Sequence, residues 1–321
     1  MARRKLSQHQ KKRIQGAQDL AGSATVDSID ALVISHHGGK IVVEAPDGQL
    51  IKCAVKSNLG AIVCGDRVVC EQTGAAEFRV LAVRPRRNFL QRVDGFGHTK
   101  SVAANITQLL ICLSIKPEPN LYLLDQYLLS AEQQNVEPVI ILNKLDLLPE
   151  LTEDPYALKA IYLPLGYTVL HLSVETGEGL EQLKSVFDHN YSVLSGVSGV
   201  GKSSITRALL PGIEIKIGII SAANEEGKHT TRTSRLYHLP NDGHLIDTPG
   251  IRGFNPLLEE SIPVSAGFRE ISLFGAGCRF SNCRHINEPG CAVLQAVARN
   301  EIAASRYQHY LRLTLSMSAS Q

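Results

Sequence analysis

Gly196-Val-Ser-Gly-Val-Gly-Lys-Ser203 is the stretch on which the reading of this chain turns. A glycine, four free positions and then Gly-Lys-Ser make the pattern of a phosphate-binding P-loop. The run before it, Tyr191-Ser-Val-Leu-Ser195, is short and apolar, as a buried strand is. The run after it, Ser203-Ser-Ile-Thr-Arg-Ala-Leu-Leu210, predicts a helix that Pro211-Gly212 stops. Strand, glycine-rich loop and helix in that order are the context the motif needs. Glycines let the backbone curl until its N–H groups face a phosphate, and the helix N-terminus adds a favourable dipole. Gly196, Val197, Ser198, Gly199, Val200 and Gly201 form the predicted cradle, with Ser204 behind it. Lys202 is expected to reach the β- and γ-phosphates, and the Ser203 hydroxyl to hold Mg²⁺.

Upstream, the apolar run Pro138–Leu142 leads into Asn143-Lys144-Leu145-Asp146. Asn-Lys-X-Asp after a buried strand reads guanine. The Asp146 carboxylate accepts from N1–H and the exocyclic amine, a donor pair that adenine lacks. Adenine would leave that carboxylate unpaired, which is costly in a buried site. Asn143 can bond the other edge of the base, and the Lys144 stem can pack over the ring. Ser173-Val174-Glu-Thr-Gly-Glu-Gly179 follows another strand and stands where a backbone loop closes over the base. Val174 occupies a position where Ala is usual. Downstream, Leu245-Ile-Asp247-Thr-Pro-Gly250 is Asp-X-X-Gly after an apolar lead-in. Asp247 is expected on Mg²⁺ and the Gly250 N–H at the γ-phosphate. Lys228-His-Thr-Thr-Arg232 supplies a switch hydroxyl for the same Mg²⁺, with Thr231 favoured and Thr230 second. Ile251 follows Gly250, where related enzymes carry a water-orienting Gln. His229 is therefore the candidate catalytic residue, against the alternative that it only shapes the loop.

The order of these pieces is unusual. The base reader at 143–146 and the loop at 173–179 precede the P-loop at 196, whereas an ordinary GTPase has the phosphate loop first. The sheet can be the same with its chain ends moved, a circular permutation. Alternating strand and helix text from Gln108 to Leu210 predicts an α/β domain with a mostly parallel sheet.

The flanks differ in kind. Residues 1–24 are basic and polar, and read either as a solvated tail or as an arm that binds RNA phosphates. Residues 25–86 hold five short alternating runs, at 31–34, 41–43, 50–55, 67–70 and 78–83, which suggest a small OB-fold barrel. Phe78 is the single aromatic residue between 25 and 83, so RNA contact there would lean on loops and charge rather than stacking. Arg84-Pro-Arg-Arg87 and Arg92 form a basic knot that can be a linker, a phosphate contact or both. The permuted GTPase domain is set at 87–260 and a C-terminal helical domain at 261–321. In the latter, Cys278-X₄-Cys283-X-His285-X₅-Cys291 is a Cys₃His set suited to one structural, tetrahedral Zn²⁺. Arg279, Arg284, Arg299 and Arg306 are candidates to face RNA.

Composition narrows the class. The net charge of +2 argues against a general polyanion binder. No apolar run is long enough to span a bilayer, and the N-terminus lacks the apolar segment of a secretory signal. Seven cysteines, four of them scattered in strand-like text, fit small buried hydrophobes in a reducing cytoplasm better than a disulfide framework.

Permuted motif order, a preceding barrel and a following Cys/His cluster together resemble the RsgA (YjeQ) family of small ribosomal subunit biogenesis GTPases. The resemblance covers nearly the whole chain, including Ala103-Ala-Asn105-Ile at the opening of the GTPase domain. Thr107 departs from the Asp more frequent in the family. The resemblance implies a cytoplasmic enzyme, expected to be monomeric, that converts GTP to GDP and phosphate with Mg²⁺. It further implies binding to the small subunit and its rRNA late in maturation, with hydrolysis stimulated there; the role of His229 gains support from it. Two alternatives stay open: a GTPase switch for a non-ribosomal protein partner, and a nucleotide-binding RNA-assembly module with little catalysis.

Overall fold

The computed structural model describes residues 28–37, 40–75, 77–93, 97–150, 157–210, 234–247, 255–259 and 261–318. The expected N-terminal arm, and His229, Thr230, Thr231, Gly250 and Ile251, lie outside the described residues.

Strands β1 (Ser28–His37), β2 (Lys40–Glu44), β3 (Leu50–Ala54), β4 (Arg67–Gln72) and β5 (Phe78–Val83) run in the order β1-β2-β3-β5-β4, and β4 returns to β1. That closure makes the OB-like barrel. Alternation sets which side chains fill it: Ile41 and Val43 point inward from β2, Ile51 and Cys53 from β3, and Lys52 between them stays exposed. Gly48, at a φ of 83°, turns the β2–β3 hairpin. Cys53, Cys64, Cys70 and Cys112 are buried free thiols, as expected.

The passage out of the barrel is built differently from the expected basic knot. Arg86 donates two hydrogen bonds to the buried Asp66 carboxylate, at 2.6 and 2.8 Å, and one to the Ala61 carbonyl at 2.6 Å. Arg84 is paired with Asp30. Both guanidinium groups are engaged by carboxylates of this chain, which leaves Arg87 as the exposed arginine of the 84–87 run. Next to Asp66, Gly65 has a φ of 88°, and a Cβ there would land on the Ala104 carbonyl. Strands β6 (Phe89–Val93) and β7 (Thr99–Ala104) form an unforeseen hairpin, joined by β14 (Asn255–Pro256) into a three-stranded antiparallel sheet.

The larger sheet uses β8 (Gln108–Ser114), β9 (Glu137–Asn143), β10 (Thr168–His171), β11 (Tyr191–Ser195), β12 (Arg235–Leu239) and β13 (Gly243–Asp247) in the order β10-β9-β8-β11-β13-β12. All pairs are parallel except β12–β13. The strand β8 is buried along its whole length because helices cover both faces. Leu109 and Ile111 pack with Leu124 and Leu128 of α1 (Leu121–Gln133) and with Leu158 and Tyr162 of α2 (Ala157–Tyr162). Leu110 and Cys112 pack with Leu183 of α3 (Leu180–Val186) and with Ile205 and Leu209 of α4 (Lys202–Leu209). Thr107 closes the start of the sheet: its hydroxyl donates to Asn190 Oδ1 at 2.7 Å and accepts from the Tyr191 N–H at 2.9 Å. Barrel and sheet are continuous through a β1–β12 pairing at Ser35 and Arg235.

The C-terminal unit holds α5 (Arg269–Gly275), α6 (Ala292–Ala298) and α7 (Ala304–Ser318). It is docked on α1. Arg306, one of the candidates to face RNA, is instead 1% exposed. Its guanidinium donates to both Glu270 oxygens, at 2.7 and 2.9 Å, and to Asp125 Oδ1 at 2.6 Å. Tyr162 and His309 complete the shell around Asp125, at 2.7 and 2.6 Å. A charge placed this deep is tolerable only because each guanidinium nitrogen meets a carboxylate. No helix among the described residues is long and apolar enough to cross a membrane.

Candidate functional site

The C-terminal ends of β8, β9, β10, β11 and β13 share one end of the parallel sheet, where loops of such sheets meet ligands. β11 delivers Gly196 there. Gly196, Gly199 and Gly201 have φ of 133°, 88° and 99°, which only glycine takes cheaply. A Cβ on Gly196 would land on the Cys112 carbonyl, and one on Gly201 on Nδ2 of Asn143. The loop is therefore pressed against the neighbouring strands with no room for side chains at those two positions. Lys202 Nζ donates to the Gly196 and Val197 carbonyls, both at 2.7 Å, so the ammonium sits within the loop's curl.

β9 delivers the 143–146 segment, expected to read the base, and the structure ties it to the 196–204 loop. Asn143 is 2% exposed, and its Nδ2 donates to the Val200 carbonyl at 2.9 Å. The sequence reading gave Asn143 only the base edge; its clearest contact is this tie, while Oδ1 is buried with no partner. Lys144 has a φ of 66°, and its Nζ donates to the Lys116 carbonyl at 2.7 Å. That bond lays the Lys144 stem along the site. Lys116 was not foreseen, and a backbone acceptor leaves no signal in residue type. Asp146 is exposed, and its Oδ1 accepts from the Ser173 hydroxyl at 2.5 Å. The same hydroxyl accepts from the Thr176 N–H at 3.2 Å. Ser173 thus orients the carboxylate from the β10 loop. Asn143, Lys144, Asp146, Val174, Glu175, Gly201, Ser204 and Arg207 border one cavity of about 540 Å³. It has room for a purine nucleoside beside the phosphate loop. Of these, Glu175 and Arg207 were not singled out from sequence.

Asp247 ends β13. Burial pushes its carboxyl above the ordinary value, and Lys202 pulls it part of the way back. A carboxylate disfavoured by burial gains from a divalent cation, so the surroundings of Asp247 suit the Mg²⁺ expected there.

The Cys₃His set is assembled in space. The ligand atoms of Cys278, Cys283, His285 and Cys291 all lie within 4.8 Å of one another. His285 Nδ1 is 3.5 Å from the sulfurs of Cys278 and Cys291, and those sulfurs are 3.8 Å apart. Zn–S bonds of about 2.3 Å and Zn–N bonds of about 2.0–2.1 Å in a tetrahedron put sulfurs about 3.8 Å apart and S–N pairs about 3.5 Å apart. The donor set fits zinc. Burial, with the neighbouring thiols, pushes the Cys283 thiol up to about 12, whereas at Cys278 burial is outweighed by hydrogen bonds from the backbone at Ala292 and Val293 and from the neighbouring thiols, which bring it below its ordinary value. Tyr307 and Tyr310 donate to the His285 and Arg284 carbonyls at 2.8 and 2.9 Å, which pins the knuckle to α7.

Residues 83–256 match the model of a family described as RsgA GTPase. The chain is 39% identical over 338 residues to the small ribosomal subunit biogenesis GTPase RsgA of Hahella chejuensis, covering 99% of this chain and 97% of that one. The protein of the same name from Chromohalobacter salexigens is 40% identical over 330 residues, with 97% of each covered. Among solved structures, YjeQ from Thermotoga maritima superposes with a TM-score of 0.69 at 30% identity, covering 90% of this chain and 98% of its own. YloQ, a circularly permuted GTPase, gives a TM-score of 0.70 at 25% identity, covering 92% of this chain and 97% of its own.

Proposed function

From the premise that this chain belongs to the RsgA GTPase family and is a GTP-hydrolysing enzyme, we propose that its hydrolysis serves biogenesis of the small ribosomal subunit. It is supported by the 2.9 Å bond from Asn143 to Val200, which joins the 143–146 segment to the 196–204 loop beside one cavity although the two stand in reversed order along the chain. In this reading Asp146, oriented by Ser173, selects guanine, and the 196–204 loop with Lys202 holds the triphosphate. Mg²⁺, when bound by Ser203, Asp247 and Thr231, neutralises charge on the phosphates. Gly250 offers its N–H to the γ-phosphate. Water attacks the γ-phosphorus, the bond to the bridging oxygen of GDP breaks, and both protons of water end on the released phosphate as H₂PO₄⁻. His229 positions that water.

Stimulation by the small subunit, contact with its rRNA and cytoplasmic action complete the proposal. The structural Zn²⁺ would keep the Cys278–Cys291 knuckle folded, with Arg279 and Arg284 available to RNA. Phosphate release from GTP and ATP, with and without purified small subunits, tests it. GTP turnover that rises on adding subunits, with ATP inert, is expected. Equal use of both nucleotides would overturn the base-reading assignment, and unaltered GTP turnover the ribosomal one.

A further inference from the structure

The cavity beside Asp146 has two walls. One is the β9 and β10 loops with Lys144 and Val174. The other is the first two turns of α4, where Ser204, Arg207 and Ala208 are three and four residues apart and so share a face. Arg207 is exposed on that face. Its Nε donates to the Ser203 carbonyl at 3.2 Å and a terminal nitrogen to Ser204 Oγ at 3.5 Å. Charge-assisted bonds are usually about 2.7–2.9 Å, so these contacts hold the guanidinium loosely and cost little to give up. Across the cavity the Lys144 stem is fixed by its bond to Lys116. A purine on Asp146, with that stem on one side, therefore meets a planar cation on the other.

We infer that Arg207 closes over the bound guanine from the α4 side, laying its guanidinium against the ring. This rests on the guanine-site reading above and adds a residue that sets affinity for the nucleoside rather than for the phosphates. A flat delocalised cation suits a purine face, and lysine does not substitute for it there.

The test is calorimetric binding of unlabelled GDP, a non-hydrolysable GTP analogue and inorganic tripolyphosphate to the full-length protein with Mg²⁺. Arg207→Ala should weaken GDP and the GTP analogue alike, by about tenfold, within the range of losses seen when a base-stacking partner is removed. Tripolyphosphate affinity should not change, and Arg207→Lys should recover only part of the loss. Three results would overturn the inference: GDP binding within twofold of wild type, an equal loss for tripolyphosphate, or full rescue by lysine. Asp146→Asn serves as the control for the parent reading. If it leaves GDP binding intact, the guanine site itself is misassigned; if it weakens GDP while Arg207→Ala does not, only the role of Arg207 fails.

Discussion

Arg306→Met takes the guanidinium out of a cluster that also contains Asp125 and Glu270, with side chains 0% and 4% exposed. Methionine fills most of the volume but supplies none of the three donors. Asp125 keeps Tyr162 and His309 as partners, whereas Glu270 loses both of the bonds described for it. Removing one member of a buried pair costs about 3–5 kcal/mol, chiefly because the charge left behind is uncompensated. The cluster joins α1 to α5 and α7, so the loss should appear as local opening of the C-terminal unit rather than global unfolding. At about 1.4 kcal/mol per factor of ten, hydrogen exchange in α5 and α7 should accelerate between about a hundredfold and a few thousandfold. Barrel amides should exchange as before. Adding Glu270→Gln should recover part of the loss, since it removes the stranded charge. Acceleration below about fivefold, or a double variant no better than the single one, would show that the buried charges do not hold the two units together.

Cys283→Ser should release zinc and unfold the knuckle while the barrel persists, as read by a metal indicator and by exchange in α6 against β1–β5. Glu288 accepts backbone N–H groups of Arg284 and Ile286 at 2.9 Å and of Asn287 at 3.1 Å. Burial opposes its charge, but those bonds prevail and hold the carboxyl down at about 2, from 4.5. A depressed value stabilises the fold above about pH 4.5 and is lost as pH falls toward 2. Wild type should thus outlast Glu288→Gln in thermal melts at pH 7, and the gap should vanish by about pH 2. Asp146→Asn should move preference from guanine to xanthine nucleotides, because the amide donates to the C2 carbonyl that replaces the exocyclic amine; competition binding of GDP and XDP reads this. His229→Ala should retain GTP binding and lose most subunit-stimulated phosphate release, within the 10³–10⁵-fold or so that a completed site supplies in related enzymes.

What was legible in the sequence was what local chemistry encodes. The phosphate loop carries glycines whose backbone angles admit little else, and the barrel carries the alternation that a half-buried strand requires. The mostly parallel sheet followed from reading the motifs as rotated pieces of one fold, while its order β10-β9-β8-β11-β13-β12, with β12 antiparallel, came only with the structure. What escaped depends on partners distant along the chain. β6 is completed by Asn255 opposite Val93, and nothing near residue 93 announces that pairing. Arg306 was placed outside because arginine normally is, while its acidic partners Asp125 and Glu270 are 181 and 36 residues away. Asn143 was assigned to the base, and the Val200 carbonyl that anchors it could not be read from side-chain type.

The pairing of Ser35 with Arg235 bears on how the chain survives synthesis. β12 is the outermost strand of the nucleotide-binding sheet, and the barrel strand β1 abuts its open edge. Without the barrel, that edge would offer unsatisfied N–H and C=O groups to any passing chain, a template for aggregation. The N-terminal module therefore covers part of that edge at the Ser35–Arg235 pairing, and expressing the GTPase module alone would uncover it.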